Sequence, residues 1–179
     1  MPDPTGVRPS PPHHPGRWFG PTERAISRSG ERRTVLLRRP YDATPAELWS
    51  AWTEPERIAR WLGEITGDRV LGGEIRLTMT PQDIPVLRIE ACEEPHRLVV
   101  TWSTPTEPNS QVELLLESEG DTTLLTLRHA VTGEERAAGL GYGWEDFLNR
   151  LHEFLAGRDP AAVSWSAAEE ELLPLWKLL

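Results

Sequence analysis

The sequence has almost no cysteine and no long apolar run. Its single cysteine, Cys92, excludes an intramolecular disulfide and a cluster of thiol ligands for a metal. No apolar run reaches the roughly 18 residues of a membrane-spanning helix, and the N-terminus lacks the apolar stretch of a signal peptide. We therefore expect a cytoplasmic protein that has no membrane span.

Positive charge is in the minority. Lysine and arginine number 19 against 28 aspartate and glutamate residues, which gives a formal net charge of -9 and a sequence pI near 5.1. Binding to phosphate groups requires a clustered positive field, so nucleic acids and anionic membranes are disfavoured as partners. The length of 179 residues is sufficient for one globular domain with extensions.

The first thirty residues contain much proline and few aliphatic side chains, with seven prolines among the first 21 residues. Such a segment buries too little surface to offset its ordering entropy, so residues 1–30 are predicted to be a disordered or loosely docked arm. His13 and His14 lie in this arm without further metal ligands at suitable spacing. Trp18 and Phe19 are its only aromatic side chains.

Two short helices are predicted after a first strand that begins near Arg33. Thr44 is the expected N-cap of the first helix, with Pro45 at its first position and Glu47 completing a capping box. Pro55 opens the second helix after a kink. One side of this second helix carries Ile58, Trp61 and Leu62.

The middle of the chain alternates between apolar and polar residues. Turn signals such as Gly72-Gly73 and Gly120-Asp121 divide residues 68–129 into five segments of this kind. The pattern predicts an antiparallel meander of strands. The inward face of these strands is predicted to consist of Ile75, Leu77, Met79, Leu87, Ile89, Leu98, Val100, Trp102, Leu114, Leu116, Leu125, Leu127 and His129.

Residues 140–155 form the most strongly amphipathic segment. On a helical wheel its apolar side chains, Trp144 among them, fall within an arc of about 120°. A stripe with such large rings needs a broad apolar surface, which the predicted sheet supplies. Gly143 is expected where the helix backbone crowds a neighbour. The opposite, polar face is predicted to carry Glu145, Asp146, Asn149, Arg150, His152 and Glu153.

The last segment, residues 158–179, is an apolar extension beyond a domain predicted for residues 31–157. A helix is predicted from Ala162 to Leu173. The tail carries Trp165, Leu172, Leu175, Trp176 and Leu178, and this surface is too apolar to be left in water. We expect the tail to pack on its own domain or to meet a protein partner, such as a second copy in a homodimer.

The order of these motifs resembles the SRPBCC (START-like, polyketide cyclase) superfamily, in particular its bacterial branch similar to activators of heat-shock-protein ATPase. The resemblance covers residues 33–155. It is carried by PAELWSAWTEPE at 45–56, GGEIR at 72–76, EPHRLVVTW at 94–102, TTLLTLRH at 122–129 and GW at 143–144. It implies an α+β helix-grip fold, in which an antiparallel sheet wraps around the long C-terminal helix and two short helices close one end.

The inward residues of such a fold commonly leave an apolar cavity between sheet and helix, which is the usual anatomy of a small-molecule site. His129 is its notable polar member, because it either orients a ligand, acts as an acid or base, or is a hydrogen-bonded histidine at the cavity rim. No Asp or Glu is placed by the sequence to activate it. The candidate ligand-binding residues are Trp61, Ile75, Leu77, Met79, Leu87, Ile89, Val100, Trp102, Leu114, Leu127, His129, Trp144, Leu148 and Leu151.

Members of the superfamily range from lipid carriers to cyclases and co-chaperone modules, so three functions stay open. The leading hypothesis is a carrier or sensor of a small apolar ligand. A co-chaperone-like interaction module of the stress response comes second, and a cyclase or hydrolase using His129 third. No nucleophile elbow, metal-ligand spacing or phosphate loop is present, so neither a metal nor a cofactor is predicted. A filled interior would favour the second hypothesis, and a cavity of several hundred Å³ the first.

Overall fold

The structure is a computed structural model that describes residues 22–162 and 164–179. His13, His14, Trp18 and Phe19, with most of the predicted arm, lie outside the described residues. The arm's last part differs from the expectation, because Glu23–Ser29 form a strand, β1, that pairs with the following strand. The sequence signal is weak here, since a short edge strand contributes only two half-buried apolar side chains, Ala25 and Ile26.

Seven further strands follow β1 in the described residues: β2 (Arg32–Tyr41), β3 (Glu64–Gly67), β4 (Glu74–Thr78), β5 (Val86–Glu93), β6 (Arg97–Ser103), β7 (Ser110–Glu119) and β8 (Thr122–Thr132). These eight strands form one antiparallel sheet in the order β1-β2-β8-β7-β6-β5-β4-β3. The predicted meander is confirmed as β4 to β8, and β3 is an additional short strand.

Four helices complete the described chain: α1 (Pro45–Thr53), α2 (Pro55–Ile58), α3 (Glu134–Leu155) and α4 (Trp165–Trp176). The predicted capping box of α1 is confirmed, because the Glu47 backbone N–H donates to Thr44 Oγ1 and the Thr44 backbone N–H donates to the Glu47 carboxylate. α3 starts at Glu134, six residues before the amphipathic segment predicted at 140–155. The sheet around α3, with α1 and α2 at one end, is the α+β helix-grip arrangement.

The face of α3 that was predicted to be polar is half covered by other elements. Glu145 and Asp146 have no exposed surface, and Asn149 is 4% exposed. The wheel alone does not show this burial, because it comes from other elements: Arg24 of β1 and Trp176 of α4 bind Glu145, and Arg39 of β2 donates to Asn149. Trp176 of α4 is itself buried there.

The C-terminal extension therefore packs on its own domain through α4, against α3. Its helix lies later than predicted, since it continues past Pro174 to Trp176. Ala168, Leu172 and Trp176 form its buried side. Leu173 is partly buried against the core, whereas four large apolar side chains of the extension stay substantially exposed: Trp165, Leu175, Leu178 and Leu179.

The close approach between α3 and α4 occurs at Gly141. A Cβ atom built there would lie 2.2 Å from Cε3 of the Trp176 ring, a distance at which atoms cannot coexist. At Gly143, where the sequence predicts crowding, a Cβ atom would meet the Trp165 ring only at 3.4 Å. Gly141 is thus the position whose missing side chain lets the indole of α4 reach the α3 backbone.

We predict that Gly141→Ala destabilises the fold and Gly139→Ala does not. The added methyl at position 141 must displace the buried Trp176 ring, and overpacking of this kind typically costs about 1–3 kcal/mol. A Cβ atom at position 139 meets nothing within 4 Å, so that substitution should be neutral or stabilise α3 by up to about 1 kcal/mol. Urea unfolding of both variants measures this, and equal stabilities would contradict the α3–α4 packing.

Candidate functional site

A cavity of about 600 Å³ lies between the inner face of the sheet, α1 and the middle of α3. The strands β4 to β7 supply its floor through alternating inward side chains. Its mouth includes the β3–β4 loop, where Val70 lines the cavity and is 63% exposed. The wall is formed mainly by Trp49, Trp52, Ile58, Leu62, Ile65, Ile75, Leu77, Leu87, Ile89, Leu98, Val100, Trp102, Val112, Leu114 and Trp144.

The predicted site residues separate into three groups. Eight of them line this cavity: Ile75, Leu77, Leu87, Ile89, Val100, Trp102, Leu114 and Trp144. Trp61 and Met79 instead line a second cavity of about 830 Å³ beside α3, to which Trp102 and Trp144 also contribute. The last group is buried core that lines neither cavity: Leu127, His129, Leu148 and Leu151.

Two tryptophans of α1 belong to the cavity wall although the sequence analysis did not propose them. Trp49 and Trp52 are spaced three residues apart, so they share one face of the helix, and both are buried. That spacing was the available signal. It did not identify a cavity wall, because nothing in the local sequence shows that the sheet leaves space beneath α1.

The rings at the inner end of the cavity contact one another. The Trp52 and Trp144 centroids are 6.1 Å apart, and Trp102 meets Trp144 edge to face at 5.7 Å. Trp61 packs edge to face on Trp52 at 4.7 Å. Such contacts fix ring orientations, so this wall of the cavity is held in place without a ligand.

His129 anchors Trp144 from beneath this wall. Trp144 Nε1 donates to His129 Nδ1 at 2.9 Å, which makes Nε2 the protonated nitrogen, and Nε2 donates to Ser110 Oγ at 2.9 Å. His129 is only 1% exposed. Burial, with a smaller contribution from the Arg136 guanidinium, lowers the pKa of His129 to about 3. The histidine is therefore neutral and structural, buried in the core and not at the cavity rim.

Polar groups at the cavity are few and lie towards its mouth. Arg69, Cys92 and Glu94 line that region, and the Arg69 guanidinium donates to the Thr53 carbonyl at 3.1 Å. Within residues 22–162 and 164–179, no three His, Cys, Asp or Glu side chains come together where they could hold a metal ion. In the same part of the chain, no helix is both long and apolar enough to cross a membrane.

The helix-grip fold places this protein in the class of α+β proteins in which an antiparallel sheet wraps around a long C-terminal helix. The family described as "Activator of Hsp90 ATPase homolog 1-like protein" matches residues 42–156. The chain belongs to this family, within the SRPBCC superfamily that its motifs resemble. No curated protein matches the chain.

Among solved structures, the chain is similar to CalU16 from Micromonospora echinospora, with 40% identity and a TM-score of 0.78 over 88% of this chain and 97% of that one. It is also similar to DynU16, a protein in the dynemicin biosynthetic locus, with 28% identity and a TM-score of 0.66 over 71% of this chain and 49% of that one. An Hsp90 activator from Plasmodium falciparum shares the fold at 20% identity, with a TM-score of 0.58 over 69% and 96%.

The neutral state of His129 predicts a loss of stability in acid. The pKa of His129 is about 3 in the folded chain against an ordinary 6.5, so protons bind the unfolded chain preferentially below pH 6.5. The contribution of the neutral His129 to the free energy of unfolding is complete above pH 6.5. It falls as the pH drops from 6.5 to about 3, by up to about 1.4 kcal/mol per pH unit. Urea unfolding between pH 7 and 4 measures this slope.

The matched control for this slope is His129→Gln, which lacks the imidazole but leaves the other titrating groups unchanged. The variant should be less stable at pH 7, because Trp144 and Ser110 lose their partner. The difference in stability between the two proteins should shrink as the pH falls. Parallel stability curves would contradict a buried neutral histidine.

Proposed function

We propose that this protein binds or senses a small hydrophobic ligand in the cavity between the sheet, α1 and α3. The observation that carries this proposal is a cavity of about 600 Å³ with an apolar wall that includes Trp49, Trp52, Trp102 and Trp144. Pockets for small molecules typically measure about 300–1,000 Å³ and have mostly hydrophobic and aromatic walls. Both the size and the wall fit a ligand of that kind.

The contrast with the neighbouring core supports the same proposal. Leu127, Leu148 and Leu151 fill the space between β8 and α3 without exposed surface, as expected of a close-packed interior. The side chains that line the open space under α1 lack such contacts on one side. A ligand that fills it would restore them.

The similarity to DynU16 supports a product of a biosynthetic pathway as the ligand, since that protein belongs to the dynemicin biosynthetic locus. A cytoplasmic location, inferred from the single cysteine, fits a protein that meets such a molecule inside the cell. The neutral His129, hydrogen-bonded to Trp144 and Ser110, supports a binding role over a cyclase or hydrolase.

A co-chaperone-like interaction module is the second candidate. The observation that favours it is the exposed apolar surface of the C-terminal segment at Trp165, Leu175, Leu178 and Leu179. Such a patch suits a protein partner or a second copy of the chain, and the family takes its name from activators of the Hsp90 ATPase. The cavity ranks first because an interaction module does not require one.

Native mass spectrometry of the protein purified from its own host tests the binding proposal. We expect a co-purifying small molecule, released on denaturation, because an apolar ligand in a half-enclosed cavity dissociates slowly enough to survive purification when it binds tightly. A protein found only in its ligand-free mass, from cells grown under several conditions, would favour the interaction module.

Filling the cavity provides a second test. Val100 lines the cavity, whereas Val35 on β2 is fully buried and lines neither cavity. We predict that Val100→Trp keeps nearly the parent stability and loses binding of an apolar fluorescent probe, because its ring occupies the ligand's space. Val35→Trp should be less stable by at least about 1–3 kcal/mol through overpacking.

Thermal unfolding and probe titration of both variants give the result. Equal destabilisation by the two substitutions would show that the space at Val100 is close-packed in solution. That outcome, with no probe bound by the parent protein, would remove the basis of the binding proposal.

A further inference from the structure

The second cavity, of about 830 Å³, is largely separate from the one under α1. Among the described residues, the two cavities have only Leu62, Trp102 and Trp144 in common. The rest of its lining comes from the α2–β3 connection, the end of β4 with the loop that follows, α3, and Trp165 at the start of α4. The two cavities therefore have room for two different molecules.

Two glycines leave the backbone of α3 bare inside this second cavity. Gly139 and Gly143 both line it, and their spacing of four residues puts them on the same side of the helix. A Cβ atom at position 139 would meet nothing within 4 Å, although glycine inside a helix is destabilising relative to alanine. Gly141 is explained by the Trp176 ring that packs on it. Packing within the described chain does not explain Gly139.

Trp165 covers one end of this bare surface. A Cβ atom at Gly143 would lie 3.4 Å from Cη2 of the Trp165 ring, so the ring packs on that turn of α3 at an ordinary van der Waals distance. The rings of Tyr142 and Phe147, each 5.6 Å away between centroids, hold it there. Trp165 nevertheless stays 42% exposed, and the turn at Gly139 stays uncovered. A flat ring placed on Gly139 would cover part of both.

We propose that the second cavity is a further binding site, which takes a flat, neutral aromatic molecule with a polar edge, and that its rings lie on the bare backbone at Gly139 and Gly143 beside Trp165. Glycine is suited to this role because it lets a ligand approach the backbone closely. The site goes beyond the proposed function, since it does not depend on the cavity under α1. It is built in part by α4, which lies outside the family match at 42–156.

The lining of the second cavity restricts the class of ligand. Aromatic rings of Trp61, Phe147 and Trp165 border it, and such rings pack favourably on a conjugated ring system. Two hydroxyl side chains, Thr78 and Thr80, add polar groups that suit a polar edge of the ligand. The charged side chains of the lining balance in sign, which favours a neutral molecule over an ion: Arg60 and Arg150 against Glu64 and Asp83.

Acridone tests this inference, because it is a flat, neutral ring system with a carbonyl and an N–H group at its edge. In proton–nitrogen correlation spectra of the full chain, the ring current of bound acridone should shift the backbone amide signals of Gly139 and Gly143. The same shifts, followed through a titration, give the affinity of this site. 1-Adamantanol, a cage that does not lie flat on the backbone, should bind there roughly two- to tenfold more weakly, because it lacks the aromatic contacts.

Gly139→Leu is the variant that fills the site. Leucine is a good helix former and its Cβ atom would meet nothing, so the variant should melt no lower than the parent protein. Its side chain occupies the ligand's space, so the acridone affinity measured at the Gly143 signal should fall at least about fivefold. The matched control is Glu135→Leu, which adds the same side chain one turn earlier at an exposed position that lines neither cavity, and it should leave the affinity unchanged.

Val100→Trp separates the two cavities, because Val100 lines only the first. Acridone should still shift the Gly139 and Gly143 signals in that variant. Shifts confined to residues of the first cavity, such as Leu87 and Val100, would overturn the inference and support ligand binding under α1. An affinity at Gly143 that Gly139→Leu leaves unchanged would also overturn it, as would the absence of any shift. If Gly139→Leu does not fold, the spectra of the unmodified protein and of Val100→Trp decide between the same outcomes.

Discussion

The buried carboxylate of Glu145 is the constraint on which the arrangement of the outer elements depends. A charge without exposed surface must be paired and hydrogen-bonded. Arg24 of β1 meets it with Nε 2.6 Å from Oε2, and Trp176 of α4 donates to the same oxygen at 2.9 Å. Loss of Arg24 would leave the charge uncompensated, and loss of Trp176 would remove one of its hydrogen-bond donors. β1, α3 and α4 are thus fixed to one another through a single side chain.

The inner face of α3 is fixed by different chemistry. Trp144 is held by its hydrogen bond to the neutral His129, and Leu148 and Leu151 fill the core beneath. Because the helix is secured on both faces, it does not need the cavity region for its stability. The space under α1 can therefore stay open, while a collapse that would fill it is resisted by elements that are already fully packed.

Local patterns were sufficient for most of the elements, although not for the short strands β1 and β3, and they did not show the outer contacts of α3. The capping box at Thr44 and the alternation along β4 to β8 are encoded within a few residues, so they were predictable. The burial of Glu145 was not, because its partner Arg24 lies 121 residues away in sequence. Alternation along the strands likewise predicted that both Leu114 and Leu127 lie on the inward face of the sheet. Only the path of α3 decides that Leu127 packs against the core and Leu114 faces open space.

The family pattern covers the elements that form the cavity, and it leaves out the two elements that bind Glu145. The family match at 42–156 contains α1, the cavity strands and α3, but not β1, β2 or α4. Those 115 residues are a smaller share of this chain than the 88% that aligns with CalU16, so that similarity extends beyond the family match. Of these elements, β1 and α4 bind Glu145 through Arg24 and Trp176, and neither of them lines the cavity under α1. Side chains of that cavity, Trp52 among them, can therefore change with the ligand while the contacts that stabilise α3 stay the same.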